Sequence, residues 1–161
     1  QLIMPQYLVK PANQIVAYGA PLRTEMEVGA NATAAKMLPG RVVIFDTADG
    51  TVKDAGAKTG GWVGILDVAP TKLKTDAYAV GDQVMIIEGE CYAVLTLKAS
   101  ENVTRGDKLV TAADGKVAKQ AVGAMGAQGR VIGEVMESSN VTVDAEVLVH
   151  WNPSHEPAAA S

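Results

Sequence analysis

Apolar residues recur along this chain in short runs rich in Val, Ile and Leu, each closed by Gly, Asp or Asn. That punctuation is the pattern of strands and turns. From Pro39 onward the runs read as strands: "GRVVIFD", a turn at "TADG", the return "TVKD", then "GGWVGILDVAP" and a hairpin of "VGDQVMIIEG" with "ECYAVLTLKA". The order resumes with "GDKLVT", "AADG", "KVAK", "GRVIGEVMES" and "AEVLVHW". Asp-Gly at 49–50 and at 114–115 suits the positive backbone dihedrals of tight hairpin turns. Helical content is expected only in 23–38, "RTEMEVGANATAAKML", and Gly29 with the Asn/Thr cluster around Asn31 limits it to a turn or two.

The two series of runs echo one another. Gly40 corresponds to Gly106, Asp49-Gly50 to Asp114-Gly115, Val52 to Val117, Val63-Gly64 to Ile132-Gly133, and Gln83-Val84-Met85 to Glu146-Val147-Leu148. The order is kept and the offset stays at about 65 residues, which isolated turns would not produce. Two degenerate copies of one β unit, 39–88 and 105–150, are the expectation; the alternative is that Gly-Asp and Asp-Gly turns recur in any β protein. Either unit alone is too small to bury its apolar face, so the two should pack on each other. The expected fold is all-β, a small β-barrel or β-sandwich over 23–151 with little helix. Before it, residues 1–22 carry Pro5, Pro11 and Pro21 and read as an extended N-terminal arm. After it, 152–161, Pro- and Ala-rich, read as a flexible tail.

Composition narrows the function more than it names it. The 161 residues are 48% hydrophobic and 20% charged, a globular balance, and no run approaches the roughly 18 apolar residues of a membrane helix. A net charge of -4 from dispersed acids and bases offers no basic stripe for phosphates, so neither nucleic acid nor membrane is expected as a direct partner. Cys91 is single and lies in a strand pattern, which reads as a buried, inert thiol. His150 and His155 are the only imidazoles.

Catalytic motifs fail on inspection. "DGTVKDAGAKTGG" imitates a phosphate loop, but Gly50 and Gly56 are too far apart and Ala57 intervenes before Lys58-Thr59, so a flexible loop between strands is expected. A nucleophile elbow is absent, and Asp46, Asp49, Asp82, Asp107 and Asp114 sit at turns, where carboxylates bond local backbone. "RGD" at 105–107 matches a cell-adhesion tripeptide and reads as a turn before a strand; the sequons at Asn31, Asn102 and Asn140 also fall at turn-like positions. Trp62 and Trp151, in corresponding regions of the two copies, are expected in core or interface packing. No catalytic residue, metal ligand or cofactor is expected.

The run "YAVGDQVMIIEGECYAVLTLKASENVTRGDKLVTAADGKVAK", followed by "GRVIGEVMESSNVTVDAEVLVHW", resembles the capsid cement, or head decoration, proteins of tailed bacteriophages. The resemblance lies in a Gly-Asp turn feeding a strand, an Asp-Gly hairpin, an "IGEV" strand and a closing strand ending in Trp. It implies a non-enzymatic structural protein on the outer surface of the virion's icosahedral head, cementing neighbouring major capsid subunits against internal DNA pressure. The major capsid protein is then the partner, and self-association is expected, a homotrimer first and a dimer second. An extended arm can add a strand to a neighbour's sheet edge. Leu2, Ile3, Met4, Tyr7, Leu8 and Val9 are its candidate capsid-binding anchors, unless they form the domain's own first strand. The competing expectation is a small-molecule or carbohydrate-binding β-barrel module.

Overall fold

Polar and apolar side chains alternate strictly through "RTEMEV", and that alternation makes Arg23–Val28 a strand, not the turn or two of helix expected there. Arg23, Glu25 and Glu27 face solvent while Thr24, Met26 and Val28 turn inward. In the computed structural model, residues 10–121 and 129–153 are described, and among them the structure is all-β. The strands are β1 (Val16–Tyr18), β2 (Arg23–Val28), β3 (Val42–Phe45), β4 (Thr51–Asp54), β5 (Gly64–Leu66), β6 (Gln83–Ile87) and β7 (Cys91–Leu97). They continue with β8 (Asn102–Val103), β9 (Lys108–Thr111), β10 (Val117–Lys119), β11 (Gly133–Val135), β12 (Ser139–Asn140) and β13 (Ala145–Trp151).

Ten of these strands close into two five-stranded barrels, the first in the order β2-β4-β3-β5-β6 and the second in the order β7-β10-β9-β11-β13. The connectivity is the same in both. Each has one parallel contact, β2 with β4 and β7 with β10, and each closes by an antiparallel ladder between its first and last strands. That closing ladder is longest in the second barrel, where Ala145↔Leu97 through Trp151↔Cys91 run in unbroken register. Both barrels begin one strand upstream of the units read from the sequence, at β2 and β7. The hairpin expected of β6 with β7 does not form, because β6 is paired on both sides within its own barrel and Glu88-Gly89-Glu90 carries the chain across to the second.

Aliphatic side chains from all five strands fill the first barrel, among them Val28, Val43, Val52, Leu66 and Ile86. Tyr78 shares that core because both functions of its hydroxyl are satisfied: it accepts from Ala69 N–H at 2.8 Å and donates to the Asp67 carbonyl at 3.0 Å. The second barrel is filled by Leu95, Leu97, Leu109, Val117, Val149 and Trp151, and its cluster also takes in Val42, Val63, Ile65 and Ile87 of the first. Adjacent residues on one strand therefore serve two cores: Val42, Ile65 and Ile87 reach the second barrel while Val43, Leu66 and Ile86 fill the first.

Backbone hydrogen bonds lock the seam. Residues 55–61, expected as a flexible loop, cross it as a strap: Lys58 N–H bonds the Thr111 carbonyl at 2.9 Å, Thr59 N–H bonds Thr111 Oγ1 at 2.8 Å, and Arg130 N–H bonds the Thr59 carbonyl at 3.0 Å. Two glycines allow close approaches across the seam. A Cβ on Gly129 would lie 2.5 Å from Lys58 Cα, and one on Gly115 would lie 2.6 Å from the Val42 carbonyl oxygen. Gly50 has the same positive φ as Gly115, 73° against 72°, yet nothing surrounds it within 4 Å. The two Asp-Gly turns are thus alike in backbone and different in surroundings.

A comparison of alanine variants separates these terms. Gly50→Ala should lower stability by about 1–2 kcal/mol from the left-handed backbone alone. Gly115→Ala should cost clearly more in the same urea titration, since Val42 must also move; equal losses would mean that the seam yields freely there.

Candidate interaction surface

The distribution of aromatic side chains singles out one region of the surface. Trp151 and Tyr78 are buried. The other described aromatics, Tyr18, Phe45, Trp62 and Tyr92, gather around one end of the seam. Their positions follow from strand register. Phe45 ends β3 opposite Trp62, which precedes β5, and the two rings stack at 4.0 Å between centroids with only 2° between planes. Trp62 folds over Gly64, where a Cβ would meet the indole at 3.1 Å and Ile86 at 2.3 Å. The indole N–H donates to Glu88 Oε1 at 2.8 Å, and the Thr24 hydroxyl bonds the other oxygen of the same carboxylate.

On the second barrel a transverse row runs across five strands: Tyr18, Tyr92, His150, Glu134 and Lys108. Tyr18 meets Tyr92 edge-on at 6.2 Å, and Tyr92 lies against the His150 ring at 4.9 Å. His150 Nε2 is 3.2 Å from Glu90 Oε1, while Lys108 pairs with Glu134. The hydrogen bond and charge of Lys108 hold the Glu134 carboxyl below its ordinary pKa, with a smaller contribution from His150.

Between the Trp62 stack and the aromatic row lies an open groove of about 540 Å³, lined by Leu22, Trp62, Glu88, Glu90, Arg130 and Pro153 among others. Its position is fixed by the crossing from β6 to β7. Glu88 and Gly89 N–H groups both bond the Leu22 carbonyl, at 2.9 and 3.3 Å, and Gly89 sits so close to Leu22 that a Cβ would lie 2.7 Å from its nitrogen. The Leu22 side chain, 68% exposed, is left facing solvent, and Tyr18 at 62% and Phe45 at 52% are the exposed members of the two aromatic pairs. Exposed aromatics and a large aliphatic side chain around a concave strip are the composition of a protein contact site.

Leu2, Ile3, Met4, Tyr7, Leu8 and Val9 lie outside the described residues. Of the 1–22 segment, β1 is docked on β7, with Val94 N–H bonding the Ile15 carbonyl at 2.8 Å, and Lys10 reaches Glu137 at 2.8 Å. The "RGD" sequence forms a turn: Thr104 N–H bonds Asp107 Oδ2 at 2.8 Å and Lys119 pairs with the same carboxylate at 3.2 Å. Asn31 donates to the Asp46 carboxylate, and Asn102 lies opposite Asn140 in the small β8–β12 ribbon. Sequence reasoning passed over Leu22, Glu88 and Glu90; the signal was "EGE", read as a hairpin turn, in which two acids flank the glycine at the crossing.

Over residues 5–160 the sequence matches the family described as XM1 gp53 minor capsid protein. The chain belongs to that family. It is accordingly a structural protein associated with a bacteriophage capsid, which makes the virion its place of action. No curated protein sequence matches this minor capsid protein. A solved structure, the head fiber gp8.5 N base in bacteriophage phi29, is similar to it at 14% identity, covering 83% of this chain and 100% of that one with a TM-score of 0.46.

Beneath the aromatic row, Cys91 pairs with Trp151 and is buried, and burial pushes its thiol up to about 11. Folded protein at pH 8 should therefore resist a disulfide-exchange reagent such as DTNB and react fully once unfolded in urea. Stoichiometric labelling of the folded chain within minutes would show that β7 opens at this end.

Proposed function

We propose that this minor capsid protein decorates the outer surface of the expanded icosahedral head and cements neighbouring major capsid subunits. Membership of a minor capsid family is the observation that carries the reading, and the architecture suits it. A cement must transmit tension between neighbours without unfolding. Two closed barrels have no free edges of their own, and a shared aliphatic core with backbone bonds across the seam joins them into one stiff body.

Among the described residues both lumens are packed with side chains, which weighs against an interior site for the competing small-ligand reading. The chain's own residues need do no chemistry in this role. Repeated weak contacts on a lattice favour a symmetric oligomer, and a homotrimer at local threefold positions is the proposed state. The two barrels are proposed to derive from one duplicated unit, since they share strand order and the position of the parallel contact. Residues 1–10 are proposed as the arm that reaches a neighbouring subunit, with Leu2, Ile3, Met4, Tyr7, Leu8 and Val9 as its anchors.

Co-sedimentation with expanded, undecorated heads, with unexpanded proheads as control, tests the reading. Saturable binding to expanded heads alone is expected, and a folded chain that binds neither would reject it. A variant lacking residues 1–10 should keep its melting temperature and lose most head binding; undiminished binding would remove the arm from the account.

A further inference from the structure

The seam groove has a chemistry that the cementing role does not by itself require. Its apolar side is Leu22 with the Trp62 indole, and its rim carries the carboxylates of Glu88 and Glu90. Among the described residues no lysine or arginine forms an ion pair with either carboxylate; Glu88 is engaged by Trp62 and Thr24, and Glu90 by the His150 ring. Arg130 shares the groove without pairing with either carboxylate, its guanidinium donating to the Gly61 carbonyl at 2.9 Å. Two carboxylates against one guanidinium therefore leave the described lining of this exposed apolar strip net negative, with neither carboxylate in an ion pair with a described lysine or arginine.

We propose that this groove receives an extended segment of the capsid lattice bearing a lysine or arginine next to a large apolar residue. The proposal rests on the outer-surface reading above and gives it a contact site. The apolar side chain covers Leu22 and the edge of the Trp62 ring, and the cation lies between Glu88 and Glu90. Charge complementarity selects this occupant: the carboxylates would repel nucleic-acid phosphate or an acidic peptide, and they discriminate among protein segments that are merely apolar. Preorganisation favours it too. The Trp62 ring is held by its stack on Phe45 and its bond to Glu88, so little of its side-chain freedom is lost on docking, and the Leu22 backbone is fixed through its carbonyl.

The test uses the full chain and expanded, undecorated heads as the probe. Leu22→Asp changes an exposed side chain, and Glu88→Gln with Glu90→Gln removes both charges while keeping one oxygen acceptor for the Trp62 indole and an amide that can donate to the Thr24 hydroxyl oxygen. Val143→Asp, at a site 67% exposed and outside the groove, is the control. Leu22→Asp should weaken head binding at least tenfold. The double glutamine variant should bind more weakly than wild type at low salt and approach it at high salt, where screening has already removed the attraction. The control should bind as wild type does, with all variants melting alike.

Wild-type binding matched by both groove variants would overturn the groove while leaving the outer-surface reading intact. Failure of the wild type itself to bind would overturn that reading and the inference with it. Variants that lose self-association in light scattering while still binding heads would assign the groove to a second copy of this chain, which also contradicts the proposal.

Discussion

Neither barrel can satisfy its aliphatic residues alone. Strands β3, β5 and β6 are apolar on both faces, so Val43, Leu66 and Ile86 fill the first barrel while Val42, Ile65 and Ile87 need a second body to cover them. That body is the other barrel, whose cluster admits them directly. Units of this size bury little surface and are marginal singly, and sharing a core adds to the buried surface of both at once. The strap at 55–61, the glycine crossings at Gly115 and Gly129, and the aromatic groove all lie along this seam because the seam sets where the barrels meet.

That rigidity suits the proposed cementing role. A load-transmitting body gains from having few independently opening parts, and the long β7–β13 ladder beside the seam ties the end of the chain's second barrel to its beginning. The groove is where the chain passes between barrels, so its walls come from both: Leu22, Trp62 and Glu88 from the first, Arg130 and Pro153 from the second. A partner seated there would touch both barrels and resist their separation. The proposed contact surface and the structural joint are the same place.

Much of the architecture was legible in the sequence. Turn residues delimited "TVKD", "GDKLVT" and "AEVLVHW" close to their observed bounds, and the Asp-Gly pairs marked real positive-φ turns. What could not be read was partnership between strands. "VGDQVMIIEG" and "ECYAVLTLKA" look like a hairpin locally, but ring closure within each barrel outcompetes the local pairing. "RTEMEV" was misjudged because its charged residues have good helix propensity, although its period is that of a strand. The groove was invisible for a related reason: Leu22, Trp62 and Glu88 are far apart in sequence, and only the closure of the first barrel brings them together. Glycines show the same limit, since the sequence distinguishes Gly50 from Gly115 in nothing that predicts how crowded the second one is.

Cryo-electron microscopy of expanded heads saturated with the purified chain would examine the outer-surface cementing role most directly. The account predicts density for both barrels on the outside of the shell, straddling boundaries between major capsid subunits, with the aromatic end of the seam turned toward the lattice. Density confined to the interior of the shell, or seated on single subunits without bridging neighbours, would contradict it.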